Sequence, residues 1–317
     1  MSISISLGSL LGIKDLLWCA SQIDSDHSVW IPETWGMECF GVISAVACSS
    51  KCRTIGSSII NVYSRSPATI AMGAATADTV SDGRLILGLG SSSPAIVENL
   101  HGQTFDLPLS RVSEYVDVIR EILKGDVISH TGDLFNLQGF RLLIQPPRKE
   151  IPIYLAAVNR KMVELAWRKA DGVIFYLRPL TEMAETMRHM QKGRRIQTTC
   201  QVITAVSEDG KAAIKRARLT LAFYISVGQI YREFLASSGY GMAIQRIYSE
   251  YCQGGLAAAA SCIPDYMLKD LTICGTPEQC RASLARFCNT GIDDIIVQFN
   301  PVGEVRKSFT DLMVMLQ

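Results

Sequence analysis

The sequence has no Cys-x-x-Cys pair, no block of like charges and no run of about 20 apolar residues of the kind that crosses a bilayer. Each absence removes a class of function. Ten cysteines are present but scattered, and the nearest two, Cys48 and Cys52, are separated by three residues. Without a paired spacing or a histidine cluster, no zinc or other metal site is expected, and the thiols read as small core hydrophobes in a reducing cytoplasm. Charged residues make up 19% of the chain and nearly cancel, leaving a net charge of +1. Such a surface offers nothing to nucleic acid or anionic lipid. The opening MSISISLGSLLGIKDLLWCA lacks a basic n-region and an unbroken apolar stretch, so no signal peptide is expected and the cytoplasm is the expected location.

What is present is apolar. Hydrophobic residues make up 48% of 317, enough for a large core. The length suits two ordinary domains or one (β/α)8 barrel, which runs to about 250 residues before insertions. Short β-branched runs alternate with helical patterns: Ile3–Leu7, Ser28–Ile31, Arg53–Ile60, Arg84–Gly90, Pro152–Ala157, Gly172–Leu177, Cys200–Val206 and Asp294–Phe299. They are continuous apolar runs rather than alternations, as strands covered on both faces should be. Eight of them with helices between predict an α/β fold, a (β/α)8 TIM barrel forming a single domain over residues 1–317, with a doubly wound open sheet as the competitor. Two excursions interrupt the rhythm. One follows a helix at Arg111–Gly125 and reads as a hairpin; the other, Lys211–Lys269, reads as a helical insertion between strands seven and eight, placed like a lid over one barrel end.

The stretch GRLILGLGSSSPAIVENLHG, from Gly83 to Gly102, resembles a phosphate loop. The third glycine of G-x-G-x-x-G falls on Ser93, and the run sits at about the fourth strand rather than the first, so a dinucleotide fingerprint is disfavoured. Glycines in a barrel strand mark a bulge or close backbone approach, and ligands collect at the C-terminal strand ends. Gly90, Ser91, Ser92 and Ser93 occupy such an end.

Three segments, VWIPETWG, SSIINVYSRSPATIAMGAATADTVSDGRLILGLGSSSPAIVENLHG and IPIYLAAVNRKMVELAWRKADGVIFYLRPL, resemble the luciferase-like flavin/deazaflavin oxidoreductases, in particular the branch that uses coenzyme F420 and includes methylenetetrahydromethanopterin reductase. The resemblance covers the whole chain and implies a hydride transfer between F420 and an organic substrate, with a methylenetetrahydromethanopterin-like pterin as the example. FMN is the alternative cofactor, in a monooxygenase of the same barrel family, and a third reading is a flavin-binding barrel without turnover. The resemblance further implies a homodimer.

By the same resemblance, a non-proline cis peptide is expected at Ser58–Ile59, followed by Ile60 and Asn61, making a bulge behind the central ring of the cofactor. After the second strand, Glu33-Thr34 stands where relatives carry Asp-His; Thr34 cannot act as an imidazole would, Glu33 remains a candidate acceptor, and Trp35 is a candidate stacking residue. Ala157, Val158, Asn159 and Arg160, with Lys161, open a helix whose amide groups and dipole suit the phosphate of a cofactor tail; Asn159 reads equally as a plain cap. Arg178 reads as a contact to that tail or a surface charge, and Gln298 and Asn300 as contacts to cofactor or substrate. Glu98 is the candidate proton-transferring carboxylate, with a solvated helix-start glutamate as the alternative. His101 is expected to order its loop, and His27, His130 and His189 to be surface residues without partners.

Overall fold

The computed structural model of the chain describes residues 1–8, 10–148 and 150–317. Among them twelve strands follow in chain order: β1 (Ser2–Ser6), β2 (Ser28–Ile31), β3 (Ile55–Ser57), β4 (Ile60–Asn61), β5 (Leu85–Gly90), β6 (Ile128–Thr131), β7 (Asn136–Phe140), β8 (Ile153–Ala156), β9 (Gly172–Tyr176), β10 (Gln197–Val206), β11 (Thr272–Gly275) and β12 (Asp294–Phe299). Two compact units form, one of residues Leu16–Ile174, the other of Met1–Asp15 with Phe175–Gln317.

In the Leu16–Ile174 unit, β2, β3, β5, β8 and β9 pair in parallel in that order, with β4 continuing alongside β5. The strands are apolar on both faces because helices cover them. Those helices start where local chemistry supplies partners for their first amides. Ser66 accepts from Thr69 N and is followed by Pro67 at the start of helix Pro67–Val80; Asn159 accepts from Met162 N at the start of Arg160–Lys169. Helix Pro108–Leu123 buries Val112, Tyr115, Val116, Ile119, Ile122 and Leu123, a stripe at three- and four-residue spacing. The hairpin expected after that helix is the antiparallel pair β6–β7. The expected third strand, Arg53–Ile60, is split: β3 stops at Ser57, and β4 resumes at Ile60.

In the second unit β12 lies between β1 and β10, all parallel. The excursion after β10 is helical, as expected, with helices Gly210–Val227, Gln229–Leu235, Gly241–Ser261 and Asp265–Leu271. Ala213, Ala217, Leu221 and Ile225 of the first share a buried cluster with Ala243, Ile244 and Ile247 of the third, apolar residues at helical spacing. The excursion ends in a strand that the sequence reading did not anticipate. β11 pairs in parallel with the end of β10, from Ile203↔Thr272 to Val206↔Gly275, and Ser207 N donates to Gly275 O at 3.1 Å. Thr-Ile-Cys-Gly is too short and too mixed for periodicity to reveal it.

The parallel strands β1, β2, β3–β4, β5, β8, β9, β10 and β12 alternating with helices are the elements of an α/β (β/α)8 barrel, the fold class expected. No helix among the described residues is long and apolar enough to cross a membrane.

Candidate active site

The split in the third strand organises one end of the Leu16–Ile174 unit. Ser57 turns its hydroxyl onto β5, donating to Gly88 O at 2.9 Å and accepting from Gly88 N at 2.8 Å. The next peptide, Ser58–Ile59, is cis, at the position the resemblance implied. Ser58 N donates to Ile31 O of β2 at 2.9 Å, and the chain then rejoins β5 with Ile60 opposite Leu89 and Asn61 opposite Gly90. The Ile59 side chain lies across Gly90. A Cβ there would stand 2.9 Å from Ile59 Cδ1 and 3.2 Å from Ala156 Cβ, so the absence of a side chain at Gly90 makes a shallow cradle floored by Ile59.

Two polar groups border this cradle without partners among the described residues: Ser58 Oγ and Asn61 Nδ2, both buried. Asn61 Oδ1 is occupied by Tyr63 N at 2.9 Å, which fixes the amide and leaves its NH2 as the open end. Leaving such groups unmet costs about 1–3 kcal/mol each, a cost removed by a ligand that brings acceptors. After β5, Ser91, Ser92 and Ser93 are half-buried, and Ser92 is held in the left-handed region at φ 56°, sparsely populated for a residue with a side chain.

Glu33 does not face this cradle as a free acceptor. Its Oε2 receives Arg65 Nη1 at 2.8 Å and its Oε1 receives Arg65 Nη2 at 2.5 Å, with Cys39 N at 3.3 Å. Arg65 also donates to Glu38 Oε1 at 2.7 Å, and its carbonyl accepts from Tyr115 Oη at 2.7 Å. The hydrogen bond to Glu33 raises the Arg65 pKa, and burial followed by the Glu33 charge pushes the Cys39 thiol well up. Thr34 is half-buried, and Trp35 is 59% exposed.

Of the other expected site residues, Ala157 is buried and donates its N–H to Ile174 O at 3.1 Å, and Val158 is half-buried. Asn159 is the helix cap, accepting from Met162 N at 3.0 Å. Arg160 turns to solvent, 86% exposed, and pairs with Glu164 at 2.8 Å. Glu98 is exposed in the last turn of helix Pro94–Asn99 rather than at a helix start. The structure therefore gathers Ser58, Ile59, Asn61 and Gly90 into one cradle, ties Glu33 into an ion pair, and places Glu98 and Arg160 in solvent.

In the second unit, Arg178 is 5% exposed and so is not a surface charge. Its guanidinium lies 4.5 Å from the Phe175 ring centre and 4.8 Å from that of Phe234, donates to Thr186 Oγ1 at 3.1 Å, and has its basicity lowered by burial. Asn300 is fully buried, accepting from Thr220 Oγ1 and donating to Gln298 O. Gln298 accepts from Tyr176 Oη at 2.8 Å.

Sequence reasoning missed Arg65 and Ser57, whereas Gly88 is the close backbone approach expected of a glycine in a barrel strand, its Cα facing the Ser57 carbonyl. The signal for Arg65 was a lone cation within Tyr-Ser-Arg-Ser-Pro, 32 and 27 positions after the acidic pair Glu33 and Glu38. Nothing in the sequence announced Ser57. His130 is also corrected: its Nε2 lies 3.4 Å from Glu114 Oε1 and its Nδ1 3.3 Å from Glu121 Oε2, and Glu114 in turn holds Leu134 N and Phe135 N of the hairpin. A polar sequence context concealed partners lying two turns apart on helix Pro108–Leu123.

Residues 26–294 match the sequence pattern of the luciferase-like monooxygenase family. The chain belongs to that family. Within the luciferase-like proteins it is 28% identical, over 92% of its own length and 91% of the relative's, to a Mycobacterium tuberculosis protein provisionally named a coenzyme F420-dependent oxidoreductase. It is 23% identical to the 5,10-methylenetetrahydromethanopterin reductase of Archaeoglobus fulgidus, over 90% and 88% of the two chains. Among solved structures, the coenzyme F420-dependent tetrahydromethanopterin reductase of Methanopyrus kandleri superposes with a TM-score of 0.85 at 19% identity, covering 97% of this chain and 96% of that one. This last likeness shows the fold, a (β/α)8 barrel as in other luciferase-like proteins.

Proposed function

We propose that the chain is a coenzyme F420-dependent oxidoreductase that moves a hydride between the deazaflavin and a small organic substrate, a reduced pterin of the methylenetetrahydromethanopterin kind. The observation that carries the reading is the Ile59–Gly90 cradle with Ser58 Oγ and Asn61 Nδ2 unpartnered beside it. A flat ring bearing carbonyl acceptors fits such a floor and would satisfy both groups. Relatives named as F420-dependent in Mycobacterium tuberculosis and Amycolatopsis mediterranei support the choice of deazaflavin over FMN.

When bound, F420 supplies the hydride-exchanging ring carbon, so the protein's task is orientation, exclusion of water and management of one proton. Ile59 and Gly90 would back the ring, Ser58 and Asn61 would donate to its edge, and Ser91 and Ser92 would line the adjoining rim. Ala157, Val158, Asn159 and Arg160, at the start of a ten-residue helix, would hold the phosphate of the tail, aided by the helix dipole. Glu33 acts by holding Arg65 in place, and Glu98 is the carboxylate that exchanges the proton with solvent. The proposal includes a cytoplasmic homodimer. It is supported by ten free thiols and by apolar side chains left open on the hairpin side, Phe140 at 79% and Leu143 at 91% exposure.

Titration of the purified chain with F420 and separately with FMN, read by quenching of each cofactor's fluorescence, tests the reading. Micromolar retention of F420 and weaker retention of FMN is expected. Preference for FMN, or failure to hold either, overturns it.

A further inference from the structure

The second unit contains a polar corner that the cofactor cradle does not use. Serines alternate along β1, and in the parallel register with β12 Ser2 lies opposite Asp294, Ser4 opposite Ile296 and Ser6 opposite Gln298. Register partners in adjacent strands share a face, so the three hydroxyls and Gln298 lie on one side of the sheet. Ser2 and Ser4 each donate to a different oxygen of Asp294, at 2.7 and 2.8 Å. Ser6, nearer the C-terminal strand end and fully buried, has no hydrogen-bond partner among the described residues. Gln201 of β10 is on the same face, as its neighbour Ile203 pairs with Gln298, and its Oε1 is likewise buried and unpartnered.

Next to this open hydroxyl, Gln298 is braced rather than saturated. Tyr176, the last residue of β9, donates to its Oε1 at 2.8 Å, while its Nε2 approaches Tyr224 Oη at 3.4 Å. A carbonyl oxygen accepts two bonds and an amide nitrogen donates two, so one acceptor site and one N–H remain. Rings of Tyr176, Tyr224 and Tyr231 pack edge to face, with interplanar angles of 80°, 82° and 89°, which fixes the braces. The groups around Gln298 are uncharged, since burial pushes the Tyr176 and Tyr231 hydroxyls up, away from ionisation, and the Asp294 carboxylate, two same-face register steps away, is taken up by Ser2 and Ser4. Arg178 turns away to Thr186.

We propose that Ser6 and Gln298, braced by Tyr176 and Tyr224, form the subsite that takes the uncharged, lactam-type edge of a flat heterocyclic substrate. A lactam presents an N–H beside a C=O, the complement of one free acceptor and one free donor on Gln298, and its neighbouring polar atom meets the Ser6 hydroxyl. The 2-amino-4-oxo edge of a reduced pterin has this pattern. A phosphate or carboxylate finds no cation to balance it in the corner. The inference rests on the hydride-transfer reading above and specifies which end of the substrate is read, and by which residues.

The probe is 6-methyltetrahydropterin, titrated calorimetrically into the chain with and without F420, while F420 affinity is followed separately by fluorescence. Gln298→Leu is expected to weaken the pterin roughly tenfold and Ser6→Ala about fivefold, with F420 affinity retained. Tyr176→Phe keeps the ring packing and removes only the brace, so KM for the pterin rises while the melting temperature holds. Glucose 6-phosphate, carrying a dianion, does not bind the corner. Loss of F420 binding by the native chain overturns the proposed function. Intact F420 binding together with no pterin binding, or with pterin binding indifferent to Gln298→Leu and Ser6→Ala, overturns the corner alone.

Discussion

The carbonyl oxygen of Ser57 occupies the space in which a side chain on Gly88 would begin, and the Ser57 hydroxyl bonds both the N–H and the C=O of that same glycine. Serine on one strand thus substitutes for the ladder on its neighbour, and the neighbour can only be glycine.

Gly88→Ala should therefore destabilise the chain by about 3 kcal/mol, because the clashing atom is backbone and cannot rotate away. Urea denaturation measures it: the midpoint falls with an unchanged slope. A midpoint equal to that of the native chain would show that β3 and β5 separate freely here.

Gly90→Val behaves differently. The atoms its side chain meets are the Ile59 side chain and Ala156 Cβ, which can yield by a few tenths of an ångström, so folding survives. The cradle does not. F420 affinity should drop roughly tenfold, equivalent to about 1.4 kcal/mol, with a melting temperature near native.

The Arg65–Glu33 pair, with side chains 17% and 12% exposed, should contribute about 2 kcal/mol. Arg65→Met should cost more than Glu33→Gln, since removing the cation leaves Glu33 and Glu38 facing each other. A double-mutant cycle of the two substitutions reads the coupling, and additive losses would refute a direct interaction.

Alkaline pH should weaken the fold. Burial pushes the thiols of Cys200 and Cys280 up to about 12 from an ordinary 9.0. A folded pKa above the unfolded one means that the stabilisation is complete below about 9 and is lost as pH rises from 9 towards 12. Urea midpoints across that range should fall, and Cys200→Ala should flatten the fall. In the native state Cys48 and Cys252, both exposed, should alkylate before Cys200 or Cys280.

Much of this architecture was legible because the strands are continuous apolar runs; Asp294–Phe299 and Ser28–Ile31 match the observed β12 and β2 residue for residue. The cradle was legible only in part. Gly90 and Ser58 stand out against their neighbours, but the pairing of Ser57 with Gly88 depends on contacts between segments about thirty positions apart, which no local pattern encodes. Glu33 shows the same limit from the other side. A carboxylate after a strand looks catalytic until Arg65, remote in sequence, is found holding both its oxygens. Asn159 had two readings of similar weight, and the cap is the one seen, since a side-chain oxygen three residues before an amide needs nothing beyond local geometry.

The parallel pairing of β11 with the end of β10 has an evolutionary corollary. Departure and return points of the excursion are stitched side by side by backbone hydrogen bonds, so the intervening helices hang from a closed clasp. Doubling the length of such a loop adds only about 0.6 kcal/mol of closure entropy. Selection can lengthen, trim or exchange that segment while β12, and with it Gln298, keeps its place.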